Sequence, residues 1–432
     1  MFDQNQNGES ASISLGRTGH PIDPSVGYAR GTILSSPLDE SKRFQHAMRL
    51  VQRRAITKGA SSFFNFTGLH RDYPLPPDKV AFAEEWIGPA FFRDELAELA
   101  REHFGGGAEH DVAVFNRATA GIIATCLALS RPGSTVLSVI PVTRSHPSIA
   151  RGVGLANARL AEVSTLSEVE ECLSSGQVSL IVITGVSSEL QVMEEEVLLD
   201  VVRLGKARGI PTFLDDAYGA RLRPLIYGQR KTLETGVEMG ITSCDKAGLG
   251  GPRAGLMAGR PDLMDRVLAK AAELGLEARP ALSLGVCASL AKFEPAGLRR
   301  EVELGEKIYD QLSLRFGKDR VRRTGLGAAI PEEEAWDLVR SLRPSDAPLP
   351  VIPAEITAGV GMYWLEHYGI ITVNALGQPG ARVSLRFKPD PCEIERFGGI
   401  SALVEAIDDG LRHIAEKSGS IAEMKQLILG EV

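Results

Sequence analysis

The chain has 432 residues, of which 44% are hydrophobic and 24% are charged, and its formal net charge is -7. A chain of this length is longer than a single hydrophobic core usually accommodates, which predicts two or three domains. The composition is typical of a soluble globular protein. The acidic charge, with no compensating block of Lys and Arg, argues against nucleic acid as a partner. Since the sequence has neither an apolar leader segment nor a membrane-length apolar run, we expect no export and no membrane contact. Five cysteines without a CxxC pair favour a reducing, cytoplasmic compartment.

The sequence divides into three predicted parts. Residues 1–70 combine an extended arm with one amphipathic helix in ESKRFQHAMRLVQRRAI. Residues 71–275 alternate apolar runs of strand length with amphipathic segments of helix length, which predicts a large ligand-binding domain. Residues 276–432 contain long helical stretches, the strand-rich segment GIITVNALGQPGARVSLRF and an amphipathic helix from about Ile394 to Ile414. This last part is predicted to be a smaller α+β domain.

The clearest strands of the large domain lie at residues 134–142, 178–186 and 210–217. Their apolar runs are continuous, as expected of strands whose two faces are both covered. Between the last two lies MEEEVLLDVVRLGKARG, with acidic residues in its first turn, basic residues in its last turn and Gly209 at a capping position. This strand, crossover helix and strand predict an α/β fold with a mostly parallel sheet.

In such a sheet, ligands bind at the carboxyl ends of the strands. Polar clusters fall at four predicted strand ends: FNRATAGIIAT, PVTRSHPSIARG, FLDDAYGAR and TSCDKAGLGGPRAG. In the first cluster, Ala118, Thr119 and Ala120 open a helix with small side chains, so its backbone N–H groups can approach an anion closely. Ordinary capping of the helix by Thr119 is the alternative interpretation.

The third cluster places Asp215 and Asp216 at the end of one strand, on opposite faces if the strand continues that far. A pair of carboxylates can bind a metal, but no His or Glu follows at a ligand spacing, and no metal is expected. A cationic partner for Asp215 is favoured instead, and Asp216 could be a solvated loop acid.

The fourth cluster sets Lys246 between a polar run and a glycine-rich run. A nucleotide-binding loop has its glycines before the lysine, so this reversed order argues against one. A surface lysine in a flexible turn is the simple alternative. A lysine that can form a Schiff base, a strand-end carboxylate and an anion-binding helix start together match the needs of pyridoxal phosphate.

The motifs ITGVSSELQVM, FLDDAYGAR, NRATAGI, TRSHPSI and TSCDKAGLGGPRAGLMAGRPDLMDRV together resemble fold-type I pyridoxal-phosphate enzymes. Within them, the chain is similar to selenocysteine synthase, to D-glucosaminate-6-phosphate ammonia-lyase and to related archaeal proteins. The resemblance extends from the arm to the C-terminus. It implies a mostly parallel seven-stranded sheet covered by helices, a smaller α+β C-terminal domain and a homodimer or higher homo-oligomer.

The resemblance also implies roles for individual residues. Lys246 would bind pyridoxal 5′-phosphate as a Schiff base, Asp215 would partner the pyridine nitrogen, and His146 would stack on the cofactor ring. The implied cofactor-binding set is Lys246, Asp215, His146, Ala118, Thr119, Ser243 and Ser188. Two alternatives stay open, because His146 could cap a turn before its proline and Arg253 could be a structural ion-pair partner.

Substrate contacts are predicted for Tyr218, Arg382 and Arg386. Many relatives have His where this chain has Tyr218, and a phenol stays neutral and can donate one hydrogen bond to a substrate. The segment ARVSLRF resembles a strand that supplies a carboxylate-binding arginine in much of this superfamily, and Arg382 matches the position of that arginine. Arg386 is predicted to lie on the same face of the strand. A strand arginine that faces solvent is the alternative.

The implied reaction is removal of the Cα proton of a small amino-acid-like substrate, followed by elimination or replacement at Cβ. Lys246 would be the acid and base, with Asp215, His146 and Tyr218 in the same catalytic set. Aminotransfer or racemisation would use the same residues. A non-catalytic regulator that keeps the fold is the alternative of another class, and the intact Lys246 and Asp215 argue against it.

Overall fold

The computed structural model describes residues 15–23, 26–73, 75–141, 144–174, 176–377 and 383–430. Within these ranges the strands are β1 Ile22–Asp23, β2 Tyr28–Ala29, β3 Phe64–Asn65, β4 Asp111–Phe115, β5 Thr135–Val139, β6 Arg159–Val163, β7 Val178–Thr184, β8 Thr212–Asp215, β9 Met239–Ser243, β10 Gly255–Gly259, β11 Arg322–Thr324, β12 Gly327–Ile330, β13 Ile370–Ile371 and β14 Leu385–Phe387.

The α-helices of the same ranges are α1 Pro37–Lys58, α2 Arg93–Phe104, α3 Ala118–Leu129, α4 Pro147–Leu155, α5 Leu166–Ser174, α6 Glu195–Arg208, α7 Gly219–Ile226, α8 Pro261–Leu274, α9 Pro280–Ala291, α10 Pro295–Phe316, α11 Glu332–Leu342, α12 Pro353–His367, α13 Val373–Leu376, α14 Pro391–Phe397, α15 Gly399–Lys417 and α16 Ile421–Leu429. No helix of the described chain is long and apolar enough to span a lipid bilayer.

A seven-stranded sheet forms the centre of the larger part of the molecule, with the strand order β4-β10-β9-β8-β7-β5-β6. The pairs from β9 to β6 are parallel, and β10 runs antiparallel to both of its neighbours. The predicted mostly parallel seven-stranded sheet is therefore confirmed. The carboxyl ends of β5, β7, β8 and β9 meet at one edge of this sheet.

The three strands predicted most clearly are present as β5, β7 and β8. Every residue of Val178–Thr184 and of Thr212–Asp215 is buried, as their continuous apolar sequences predict. The crossover helix between them is α6, which ends at Gly209 in the left-handed conformation with φ 64°. Glycine adopts this angle without the steric cost of a Cβ, so it ends the helix where the sequence predicts.

The C-terminal part contains a three-stranded antiparallel sheet, β11-β12-β14, with helices packed against it. The predicted helix from Ile394 to Ile414 is wrong in its bounds. Gly398 and Gly399 have φ values of 110° and 90°, which separate α14 from α15, and α16 follows. The strand-rich prediction is also too broad, because Val373–Leu376 is helical.

Helix α1 packs on α12, α13 and α16, so the predicted N-terminal helix lies against the C-terminal part of the chain. Glu355 holds the segment that leads into α1 against the start of α12. Its buried carboxylate accepts hydrogen bonds from the backbone N–H groups of Leu34 at 3.0 Å and of Ile352 at 3.1 Å. The bounds predicted for the three domains stay a prediction.

Candidate active site

Nine of the ten predicted site residues line one cavity at the carboxyl edge of the large sheet. They are Ala118, Thr119, His146, Ser188, Asp215, Tyr218, Ser243, Lys246 and Arg386. The tenth, Arg382, lies outside the described residues. The cavity walls come from strand ends, from the first turns of α3 and α4, and from β14. Residues that are distant in sequence therefore converge because parallel strands end at a common edge.

Lys246 follows β9 in a tight turn, and its Nζ donates a hydrogen bond to Ser243 Oγ at 3.1 Å. Burial lowers the pKa of its ammonium, while Asp245 and Asp215 oppose that shift. The next two residues, Ala247 and Gly248, have φ values of 52° and 78°. A left-handed backbone is costly for a residue with a Cβ, so the turn at Ala247 must be held by its surroundings.

Arg221 supplies that support. Its guanidinium donates to the carbonyls of Lys246 and Ala247 at 3.1 Å each, and to the carbonyl of Ser243 at 2.7 Å. A third nitrogen lies 2.9 Å from His103 Nε2, which burial keeps neutral by lowering the pKa of His103 well below its ordinary value. Arg221 therefore fixes both ends of the lysine turn, a role that its place in FLDDAYGAR does not reveal.

The two strand-end acids have different environments. Asp215 is 4% exposed, and its Oδ1 is buried without a hydrogen bond from any residue that the structure describes. Burial raises the pKa of Asp215 to about 6, and the nearby Lys246 opposes the shift. Asp216 pairs with the buried Arg223 at 2.5 Å and accepts from Thr232 at 2.7 Å. Asp216 is therefore a structural ion-pair partner, and the prediction that it could be a solvated loop acid is wrong.

Helix α3 begins at Ala118, and the residue before it, Arg117, makes no capping hydrogen bond through its side chain. Thr119 lies inside the first turn, so the alternative that it caps the helix is wrong. Gly255 on β10 packs directly against this helix start, since a Cβ there would lie 2.6 Å from Ala118 N. The result is a helix N-terminus whose first N–H groups lie at the cavity that Ser243 also lines.

His146 is the N-cap residue of α4, and its Nδ1 accepts a hydrogen bond from the Ser148 backbone at 3.2 Å. The Ser148 hydroxyl also contacts this nitrogen. His146 therefore caps the helix, as the alternative interpretation predicted, and it also lines the cavity. Capping fixes the position of the imidazole beside the site.

Tyr218 and Arg386 also line the cavity. The Tyr218 side chain is buried, which raises the pKa of its phenol, and its ring centroid lies 4.8 Å from Lys246 Nζ and 4.9 Å from Lys388 Nζ. Arg386 donates to Ser384 Oγ at 3.1 Å and also to the carbonyl of Ser188. Lys388 was not predicted, because nothing in its sequence context marks a buried lysine.

Other arginines and one acid also line the cavity without having been assigned to it: Arg71, Arg117, Arg151, Arg253 and Asp245. Arg117, Arg151 and Arg253 lie in the motifs NRATAGI, SIARG and GPRAG, which belong to the polar clusters predicted at strand ends. Their positions in the sequence could therefore have indicated a place in the site. Arg71 pairs with Asp245 at 3.0 Å and lies at the very start of the predicted large domain, where no pattern indicated a site.

Residues 78–293 match the family model described as aminotransferase class I and II. A UPF0425 pyridoxal phosphate-dependent protein of Methanothermobacter thermautotrophicus is 36% identical over 398 residues, which cover 92% of this chain and 100% of the relative. The chain belongs to the UPF0425 family. A second UPF0425 protein, of Methanopyrus kandleri, is 33% identical over 82% of this chain and 90% of its own length. The predicted resemblance is confirmed, and so is the cofactor at the level of the family.

Solved structures show the same fold as this UPF0425 protein at low sequence identity. An alanine–glyoxylate aminotransferase from Nostoc sp. has a TM-score of 0.56 and 15% identity over 81% of this chain and 95% of its own. A chain of the SepCysS–SepCysE N-terminal domain complex has a TM-score of 0.54 and 15% identity over 84% of this chain and 97% of its own. These likenesses support the fold-type I architecture alone.

Proposed function

We propose that this protein uses pyridoxal 5′-phosphate to act at Cα and Cβ of a small amino-acid-like substrate. The observation that carries the proposal is Asp215 Oδ1, a buried carboxylate oxygen without a described hydrogen-bond partner. Leaving such a group unsatisfied costs free energy, so its position favours a ligand that donates a hydrogen bond and bears positive charge. A protonated pyridine nitrogen has both properties.

The remaining residues fit the rest of this cofactor. The start of α3, with Ala118 and Thr119, offers backbone N–H groups and the positive end of a helix dipole to a phosphate, and Ser243 offers a hydroxyl. Lys246 is the amine that would bind the cofactor covalently. Because burial lowers its pKa, more of this amine is neutral and nucleophilic near neutral pH than for an exposed lysine.

When bound, the cofactor supplies an electron sink that stabilises negative charge at the substrate Cα. The protein's own residues then determine the outcome. Lys246 would take the Cα proton, Arg386 would hold the substrate carboxylate, and Tyr218 would donate a hydrogen bond to the substrate. His146, fixed by its capping of α4, would lie against the cofactor ring. Elimination or replacement at Cβ is the reaction that we favour.

Aminotransfer is the second candidate, since the matching family model is that of class I and II aminotransferases. It needs the same lysine and the same carboxylate, so geometry alone does not choose between the two. Product analysis separates them, because elimination releases ammonia or a β-substituent, whereas transfer leaves the amino group on the cofactor.

The test uses the protein purified with its cofactor. Borohydride reduction followed by peptide mass spectrometry is expected to place the cofactor on Lys246, and Lys246→Ala is expected to abolish the adduct. Lys388→Ala is the matched control, because Lys388 is the other buried amine over the Tyr218 ring. Absence of any adduct in the wild type would overturn the proposal and favour a non-catalytic regulator. An adduct that survives in Lys246→Ala would overturn the assignment of the reacting amine to Lys246.

A further inference from the structure

Arg221 supports the turn that carries Lys246, and its own position depends on a histidine from a distant helix. His103 lies in the last turn of α2, and its Nε2 is 2.9 Å from one nitrogen of the Arg221 guanidinium. The other two guanidinium nitrogens donate to carbonyls of the lysine turn. Every guanidinium nitrogen of this buried arginine therefore has an acceptor, and the histidine supplies one of them.

The contact fixes the protonation of the histidine ring. A guanidinium only donates hydrogen bonds, so Nε2 of His103 must accept, and the ring proton must lie on Nδ1. A protonated imidazole has no acceptor and would bring a second positive charge against Arg221. The geometry is thus compatible with one state of the ring, which is neutral and carries its proton on Nδ1.

The surroundings of the ring favour this neutral state. Burial lowers the pKa of His103 well below its ordinary value, and Arg221 and Lys231 lower it further. A second cavity borders the ring, and the charged side chains among its described lining residues are Glu102, Arg221 and Lys231. Glu102, the acid of this set, is exposed to solvent, where its charge is screened. Phe293 packs edge-on against the imidazole, with the ring centroids 5.5 Å apart.

The lysine turn needs support because it contains a strained residue. Ala247 has a φ of 52°, a conformation that is costly for a residue with a Cβ. Arg221 donates to the carbonyls of both Lys246 and Ala247, so a shift of the guanidinium changes the turn directly. An interaction that fixes the guanidinium therefore also fixes the backbone from which the Lys246 side chain extends.

We infer that His103 is a positioning residue of the candidate active site, whose neutral ring holds Arg221 against the turn that carries Lys246. His103 is absent from the described residues that line the cavity of that site, so it acts through Arg221 and not by contact with cofactor or substrate. The inference rests on the proposed function, because its effect is measured through the cofactor that Lys246 binds.

The state of the ring is measured on the wild-type protein purified with its cofactor. Nitrogen-15 NMR of protein labelled at histidine distinguishes a ring protonated on Nδ1, on Nε2 or on both nitrogens. The signal of His103 is the one that disappears in His103→Gln. We expect a neutral ring protonated on Nδ1 at pH 7. A ring protonated on Nε2, or an imidazolium, would overturn the inference.

Two substitutions separate the hydrogen bond from the packing of the ring. His103→Leu removes the acceptor and leaves a guanidinium nitrogen unpaired, so the dissociation constant of the cofactor should rise about tenfold or more. His103→Gln supplies an uncharged acceptor through its amide oxygen and should keep that constant within about threefold of the wild-type value. His413→Leu is the matched control, since His413 lies on α15 and lines neither cavity.

Affinity is measured where denaturation curves show each variant to be folded, so a loss of global stability does not contribute. Wild-type affinity in His103→Leu, or equal weakening in His103→Leu and His103→Gln, would contradict the role of His103. If His103→Leu does not fold, the NMR measurement and the affinity of His103→Gln decide.

The proposed function is judged separately. If borohydride fixes the cofactor on Lys246 but His103→Leu binds the cofactor as tightly as the wild type, only the inference about His103 fails. Absence of any adduct in the wild type is instead the failure of the proposed function.

Discussion

Lys246 places its Nζ 4.8 Å from the centroid of the Tyr218 ring, so the reacting amine lies over an aromatic face. A ring face stabilises an ammonium more than a neutral amine, by roughly 0.5–1 kcal/mol at exposed sites and by about 2 kcal/mol at buried ones such as this. The ring is thus expected to oppose the lowering of the Lys246 pKa by burial.

Replacing Tyr218 by Leu should lower the pKa of Lys246 by about one unit or more, because the ring is lost. The rate at which cofactor-free protein takes up cofactor depends on the neutral amine, so its pH midpoint reports this pKa. Tyr218→Phe keeps the ring and is the control, with a midpoint close to that of the wild type. Equal midpoints for Tyr218→Leu and Tyr218→Phe would show that the ring contact has no effect.

Asp215 makes the cofactor-free protein less stable as the pH rises. Its pKa of about 6 in the folded protein lies above that of an unfolded Asp, so the folded state binds the proton more tightly. Stability should be lost between about pH 4 and pH 6, by roughly 2–3 kcal/mol in total. Urea unfolding at a series of pH values measures this loss.

The variant Asp215→Asn removes that ionisation. Without cofactor, it should be roughly 2 kcal/mol more stable than the wild type at pH 7, and the difference should vanish near pH 3. With cofactor present we expect the order to reverse, since the carboxylate then has a cationic partner. A difference between variant and wild type that does not change with pH would contradict this explanation.

Removal of the Asp216 carboxylate should destabilise the protein, whereas removal of the Asp215 charge should stabilise the cofactor-free form. Its ion pair with Arg223 is fully buried on both sides, so Asp216→Ala leaves an uncompensated guanidinium and should cost about 3–5 kcal/mol of unfolding free energy. Chemical denaturation measures the loss. Asp262→Ala, at an exposed acid on α8, is the control and should change stability little. Similar effects at the two positions would argue against a structural role for Asp216.

Arg221 should affect the lysine turn without contacting substrate. Arg221→Lys keeps one charge but loses the fork that reaches three carbonyls, so we expect a loss of about 2–3 kcal/mol of stability and weaker cofactor retention. Cofactor content after dialysis and thermal unfolding are the two measurements. Arg203→Lys, at an exposed arginine on α6, is the control. Unchanged cofactor retention in Arg221→Lys would show that the turn at Lys246 keeps its conformation without the Arg221 hydrogen bonds.

The sequence determined the elements and the chemistry that depend on local pattern. Continuous apolar runs predicted β5, β7 and β8, and charge at both ends with Gly209 predicted α6. The spacing of Asp215 and Lys246 at strand ends predicted the site, because parallel strands bring their carboxyl ends together. The bounds near Gly398 could not be predicted in the same way, because helical periodicity runs on through the two glycines that interrupt it.

Only the tertiary structure decided what surrounds these residues. Asp215 and Asp216 are adjacent in the sequence, yet one oxygen of Asp215 has no described partner while Asp216 is paired with Arg223. Arg71 pairs with Asp245, the residue before the lysine, from a segment 174 positions earlier, and Arg221 contacts the backbone of Lys246 from a neighbouring helix. Hydrophobic pattern is a property of neighbouring residues, whereas charge pairing and burial depend on which distant segments the fold brings together.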